Sequence, residues 1–259
     1  MLHLVAAANN ALVSAISEYR FLATGWRELD EIKEHSIART DISDHLVTLF
    51  LESMAIRPRL IVELGVRTGE STFVFERVAG LCGSNLVSVD IHDCLAISSY
   101  GNWLFEKDDD IEFAKRFESW CGQHNIKPDI DVLFIDTSHL FEHTVAEIEH
   151  WFPFLSDKSK VIFHDTNLRK TNFRKDGTIV VGAVGRDNKR GVITALEKFF
   201  ERPFNEKEHF IDWAKGWAIR HYPYCAGLTV LERLQCQRTP HDGPDPSMPS
   251  EVNDAELGK

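Results

Sequence analysis

From residue 60 onward, short apolar runs alternate with stretches of helical periodicity. LIVELG (60–65) precedes STFVFERVAG (71–80), and LVSVDI (86–91) precedes a longer, irregular stretch. WLFE (103–106) comes before DIEFAKRFESWCGQ, DVLFID (131–136) before FEHTVAEIEHWFPFL, and KVIFHD (160–165) closes the series. Apolar runs bounded by an acid or a glycine are how strands buried on both faces read, and parallel strands need crossover helices between them. The pattern predicts an α/β fold with a mostly parallel sheet. ALEKFFE then reads as a helix, and WAIRHY and GLTVLERL as two strands. The short PYCA spacer between them permits an antiparallel hairpin that would close the sheet edge.

Residues 1–57 are helical in pattern, a cap or a dimerisation segment through which the chain would form a homo-oligomer. Ile42, Leu46, Leu49, Phe50 and Met54 fall on one helical face, with Ser43 or Asp44 as a cap, and Arg57-Pro58-Arg59 ends the helix. The sheet domain spans 58–236. Within it, 167–191 is long, basic and glycine-punctuated, placed to cover an acceptor or to stay solvated by its charge. Residues 237–259, rich in Pro and Asp, predict a disordered tail.

Composition narrows the class. A formal charge of −11 disfavours nucleic acid as a partner, because phosphate binding needs clustered Lys and Arg. Five cysteines without a CxxC pair predict neither a disulfide framework nor a zinc knuckle. No apolar run approaches the length of a membrane span, and the amino-terminal stretch lacks the basic start of a signal peptide. The expectation is a cytoplasmic protein with no membrane partner.

The candidate chemistry sits at the strand ends, where open parallel sheets bind ligands. Glu63, Gly65 and Gly69 form a turn after the first strand that lets the backbone approach a ligand closely. Neither G-x-G-x-x-G nor a Walker loop is present, which counts against a nicotinamide oxidoreductase or a nucleotide triphosphatase. Asp90 ends the second strand, where a carboxylate can hold ribose hydroxyls, and Asp109 offers a polar edge near an adenine. Asp136 and Asp165 end the fourth and fifth strands. Adjacent strand ends lie about 5 Å apart, so two carboxylates there favour a shared divalent cation. His139 lies close enough to act as a general base. His143 and His150 read as ordinary helix positions.

VELGVRTGEST, VSVDI and IDTSHLFEHTVAEIEHWFPFLSDKSKVIFHDT together resemble class I S-adenosylmethionine-dependent methyltransferases. Within them they are similar to the methyltransferase domain 24 group and to metal-dependent sugar and natural-product O-methyltransferases. The resemblance covers about 60–233. It implies a Rossmann-like seven-stranded sheet with an antiparallel last strand, helices on both faces, and an amino-terminal helical cap. It implies cofactor contacts from Glu63, Gly65, Arg67, Gly69, Ser71, Asp90, Ile91, Asp109 and Asp136. It further implies metal ligands at Asp136, His164 and Asp165, and a proton-abstracting His139. Thr137 stands where those enzymes carry Gly, and His164 where they carry an acid; an imidazole there suits manganese better than magnesium. The implied activity is O-methylation of a small-molecule hydroxyl, a diol, catechol or sugar of natural-product biosynthesis. Two alternatives share these motifs: a cephalosporin-hydroxylase-like enzyme and a non-catalytic S-adenosylmethionine-binding protein.

Overall fold

The computed structural model describes residues 23–168, 171–173, 179–181 and 190–234. The amino-terminal 1–22, most of the basic segment and the tail from 235 lie outside the described residues. The strands in chain order are β1 (Leu60–Leu64), β2 (Asn85–Asp90), β3 (Trp103–Lys107), β4 (Ile130–Ile135), β5 (Leu155–His164), β6 (Thr171–Phe173), β7 (Ile179–Val181), β8 (Phe210–Ala214), β9 (Trp217–Tyr222) and β10 (Leu228–Arg233). The helices are α1 (Arg27–His35), α2 (Leu46–Ile56), α3 (Glu70–Cys82), α4 (Asp110–Gln123), α5 (Phe141–Trp151) and α6 (Val192–Phe200). None of them is long and apolar enough to cross a membrane.

The main sheet has eight strands in the order β3-β2-β1-β4-β5-β10-β9-β8, and β6 and β7 form a separate hairpin. β1 to β5 are mutually parallel, and β10 enters antiparallel between β5 and β9. The antiparallel last strand and the hairpin match expectation; the count of seven does not. β8 adds an eighth strand at the edge, antiparallel to β9. Its signal is a two-residue turn, Lys215-Gly216, with both φ values positive at 48° and 80°. Turns with both central φ values positive match the twist of a hairpin.

Strand alternation sorts the core into two faces. Leu60, Val62, Leu64, Val87, Val89, Leu133, Ile135, Val161 and Phe163 pack with α4, α5 and α6 through Phe113, Phe117, Trp151 and Leu196. Ile61, Leu86, Val132, Phe134 and Ile162 face α2 and α3, where Ile42, Leu46, Leu49 and Phe50 join Val74, Phe75 and Val78. The stretch 42–56 therefore shares a core with the sheet. No side chain caps α2; a 3-10 turn over Ser43–His45 leads into it instead, and Ser43 turns inward to donate to the Thr40 carbonyl.

α2 is pinned to the sheet by charge as well. Glu52 accepts from Lys160 at 2.6 Å and from Arg220 at 2.8 and 3.1 Å, while Glu232 also holds Arg220 at 2.7 Å. The Lys160 side chain is only 3% exposed. Removing Glu52 leaves buried Lys160 with Glu232 at 3.6 Å in place of its 2.6 Å partner, in a low-dielectric interior. Glu52→Ala is expected to cost about 3 kcal/mol. Lys160→Met removes the buried cation and leaves Glu52 on Arg220, so it should cost much less. Urea unfolding of both variants checks this, and the reverse ranking would refute it.

Candidate functional site

Strand order reverses between β1 and β4, and there the chain makes its glycine turn. Gly65 donates to the Val89 carbonyl and Asp136 to the Leu64 carbonyl, both at 2.9 Å, so the turn is stitched to β2 and β4 at once. Gly65 has φ +89°, and a methyl group in place of its hydrogen would overlap the Asp136 carbonyl. Asp90 closes the turn from the other side. Its carboxylate accepts from the backbone N–H of Val66 at 2.9 Å and Arg67 at 3.0 Å, and from His92 at 2.8 Å. Partial burial opposes ionisation of Asp90, but these backbone bonds outweigh it and hold the carboxyl below its usual range. Arg67 grips Asp41 through both terminal nitrogens at 2.8 Å, drawing the segment before α2 over the turn. Just beyond β2, Ile91 is 64% exposed, with Leu95 and Ile97 also exposed beside the turn. An apolar shelf next to hydrogen-bonding acids is the composition that a nucleoside needs.

Glu63 and Ser71, expected at the cofactor, lie in the interior. Alternation puts Glu63 on the same face as Ile61, beneath the turn. Its carboxyl accepts from Ser71 at 2.6 Å, Ser88 at 2.6 Å and Thr72 at 2.9 Å, and Trp103 Nε1 donates in turn to Ser88 at 2.9 Å. Complete burial outweighs these hydroxyl donors and pushes the Glu63 pKa up to about 7. A folded state that holds this proton more tightly than the unfolded chain gains stability below the ordinary carboxyl pKa. It loses that gain as pH rises from about 4.5 to about 7. The shift corresponds to a contribution on the order of 3 kcal/mol. Glu63→Gln should therefore flatten the fall in stability between pH 5 and pH 8, as read by denaturant titration at each pH. An unchanged slope in the variant would remove Glu63 as its source.

Asp109 is likewise occupied: it caps α4, accepting from the backbone N–H of Ile111 and Glu112 at 3.0 and 3.1 Å. Of the aromatic residues near the strand ends, Tyr100, Trp103 and Tyr222 bond to groups of the fold, whereas Tyr224 is exposed.

The second half of the rim lies at the ends of β4 and β5. His139 Nδ1 approaches Asp165 at 2.6 Å and Asp136 at 3.8 Å. Ligand atoms of Asp136, His139 and Asp165 all fall within 4.8 Å of one another. His164, expected beside the two acids, also lies close to both, its Nδ1 at 3.1 Å from Asp136 and 3.6 Å from Asp165. The β4–β5 register sets His164 opposite Asp136, and alternation turns its ring toward the α2 face with Ile162. There it is buried, with Nδ1 at 3.1 Å from Asp136 and its ring edge-on to buried His45. His164 and His139 thus approach the two acids from separate elements.

Burial disfavours the charged form of His139, but the Asp165 bond and the charge of Asp136 outweigh it and raise its pKa. Asp165, also buried, is held well below the usual carboxylate range by its two histidine neighbours. Three non-glycine residues at this rim occupy the left-handed region: Arg67 (φ 49°), His139 (57°) and Asp165 (57°). Asp and His tolerate that conformation better than most residues, but each such position still costs about 1–3 kcal/mol. Gly191, opening α6, comes so close that an added methyl would overlap the His139 carbonyl. The chain returning from the basic segment thus packs directly on the His139 turn. Arg190, one of its basic residues, is paired to Glu197 and Glu206; the other six lie outside the described residues.

Sequence reading missed one cluster beside this rim. His143, taken as an ordinary helix position, bonds Asp110 at 2.9 Å and approaches Glu147 at 3.6 Å. The Asp110 bond and the Glu147 charge push His143 up to about 9, while burial and Asp110 push Glu147 up to about 7. Thr137, adjacent to Asp136, donates its hydroxyl to Glu147. The available signal was the i,i+4 spacing of His143 and Glu147, which places both on one helix face.

Residues 62–166 match the methyltransferase domain 24 family. The match is to a methyltransferase domain. It runs from β1 through the end of β5, so it holds the glycine turn, Asp90, Asp136, His139 and Asp165. Among curated proteins, the uncharacterised protein y4gI of Sinorhizobium fredii (strain NBRC 101917 / NGR234) is 25% identical over 197 residues, or 70% of this chain. The chain spans only 20% of that relative's length. Among solved structures, an O-methyltransferase from Bacillus cereus in complex with SAH aligns at TM-score 0.50 and 14% identity, covering 85% of this chain and 97% of that one. The MycE methyltransferase of the mycinamycin biosynthetic pathway, in complex with Mg, SAH and mycinamycin VI, aligns at TM-score 0.51 and 14% identity. That alignment covers 85% of this chain and 57% of MycE. Both likenesses are of fold.

Proposed function

We propose that this protein is an S-adenosylmethionine-dependent O-methyltransferase acting on a hydroxyl of a small molecule, such as a diol, catechol or sugar, with assistance from a divalent cation. The observation that carries the reading is the Asp165–His139 contact, at 2.6 Å, beside the glycine turn and the exposed Ile91. It puts a base and two acids at the same sheet rim as the glycine turn. The methyltransferase-domain match over 62–166 supports the donor, and the magnesium in the MycE complex supports a cation in a related fold.

The residues fit both groups. Asp136 and Asp165 present hard oxygen donors with His139 alongside, a set that takes magnesium or manganese. Asp90, the Gly65–Gly69 turn and Ile91 border the nucleoside. Bound S-adenosylmethionine would supply an electrophilic methyl on a sulfonium, and a cation at Asp136 and Asp165 would supply Lewis acidity toward the acceptor hydroxyl. Asp165 on Nδ1 orients the His139 ring and stabilises the imidazolium that forms when His139 takes the hydroxyl proton. The oxygen–carbon bond forms as the sulfur–carbon bond breaks, leaving a thioether. The acids of the rim favour the cationic donor over the neutral product.

The test is to incubate the protein with S-adenosylmethionine and a panel of diols, catechols and sugar nucleotides, with and without EDTA. Methylated product that disappears with EDTA is the expected result. Absence of calorimetric binding by S-adenosylhomocysteine would overturn the reading at its root.

A further inference from the structure

Asp110, His143 and Glu147 form a second convergence of ligand-type side chains, built from residues that the proposed reaction does not use. Asp110 opens α4, whereas His143 and Glu147 stand one turn apart on α5. One ligand atom from each lies within 4.8 Å of the others. We propose that this cluster is a second divalent-cation site, taking a borderline transition-metal ion such as zinc or manganese.

Glu147 is fully buried, and the Asp110 side chain is 8% exposed. Each keeps one oxygen, Oε2 of Glu147 and Oδ2 of Asp110, buried with no hydrogen-bond partner. Buried carboxylate oxygens are nearly always satisfied, because leaving one bare forfeits its hydration without return. His143 cannot satisfy both. Its Nε2 has a single hydrogen, which goes to Asp110 at 2.9 Å, and Glu147 at 3.6 Å is beyond a hydrogen bond. A cation among the three would give both buried carboxyls a partner, which a single N–H cannot.

The surroundings match a metal site in two further respects. The Thr137 hydroxyl donates to Oε1 of Glu147, the oxygen that approaches His143; ligating carboxylates are commonly oriented by such an outer donor. The His143 side chain is 24% exposed and gives the ion a path in. Two carboxylates with one imidazole suit zinc or manganese better than magnesium. An ion here would tie the start of α4 to α5 and, through Thr137, brace the turn that carries His139.

The experiment uses the full chain stripped with EDTA and titrated with Mn²⁺ alone or Zn²⁺ alone, by calorimetry with elemental analysis after gel filtration. Two ions per chain are expected in the wild type. Asp110→Asn with Glu147→Gln should retain only the rim ion, and Asp136→Asn with Asp165→Asn only the second. Because the first pair alters buried charges, His143→Gln, at a partly exposed position, provides an independent arm and should weaken one of the two sites by about tenfold or more. A single ion lost in the rim variant overturns the proposal and leaves the rim reading standing. A single ion that survives the rim variant and is lost with Asp110→Asn/Glu147→Gln supports the proposal and counts against a rim cation. Two ions retained in Asp110→Asn/Glu147→Gln, or none in the wild type, overturn it.

Discussion

His139→Ala is expected to lower methyl transfer by about 10²–10⁴-fold, the usual contribution of a positioned general base, while S-adenosylhomocysteine binding stays within a factor of a few. The split follows from the geometry. His139 touches Asp165 and Asp136 at the ends of β4 and β5, whereas the Gly65–Gly69 turn and Asp90 belong to β1 and β2. Loss of the imidazole leaves that turn's backbone bonds in place. Steady-state turnover and calorimetry on the same preparation check the two halves separately. Full turnover in the variant would take the proton-abstracting role away from His139. Loss of nucleoside binding would mean that the ring holds up the pocket itself.

Gly65→Ala is expected to destabilise the protein by on the order of 4 kcal/mol, at the upper end of single substitutions. The reason is the neighbour. The new methyl would overlap the Asp136 carbonyl oxygen, with the carbonyl carbon at 2.8 Å, and backbone in the middle of a parallel sheet cannot swing aside. Relief requires separating the β1 turn from the end of β4, which breaks the 2.9 Å bond from Asp136 to Leu64 and shifts the whole rim. The φ of +89° adds about 1 kcal/mol of its own. Gly69→Ala is the control: its φ is +83°, but its methyl would meet only the side chain of exposed Ile97. Denaturant midpoints should show Gly65→Ala far below Gly69→Ala. Equal losses would mean that left-handed strain alone accounts for both.

The elements that could be read from sequence are those whose signals are local. β1, β2, β4 and the second half of β5 are buried on both faces and appear as continuous apolar runs, whereas edge strand β3 is only half-buried and was read from its short apolar run before a helix. β8 escaped because it is a short edge strand of apolar residues on both sides, with Ile211 and Trp213 exposed, so it shows no alternation of apolar and polar positions. The rim acids were legible because strand ends of a parallel sheet must lie side by side. The 2.6 Å approach of His139 to Asp165 was not, since it turns on left-handed φ values at both residues. The Asp110–His143–Glu147 cluster was hidden for a related reason. Its members lie on two helices, and nothing in either stretch reveals how those helices are placed against each other.

The amino-acid order by itself determined a parallel sheet with crossover helices, a glycine turn after its first strand, and carboxylates at the ends of the second, fourth and fifth. Those outcomes follow from hydrophobic periodicity and from the conformations open to glycine, which act within a few residues. Only the tertiary structure decided which way each polar side chain faced. It turned Glu63 inward among three hydroxyls, His164 onto Asp136, and His139 onto Asp165. The physical reason is that a buried polar group goes where its partners are, and those partners come from elements distant in sequence that only packing brings within hydrogen-bond reach.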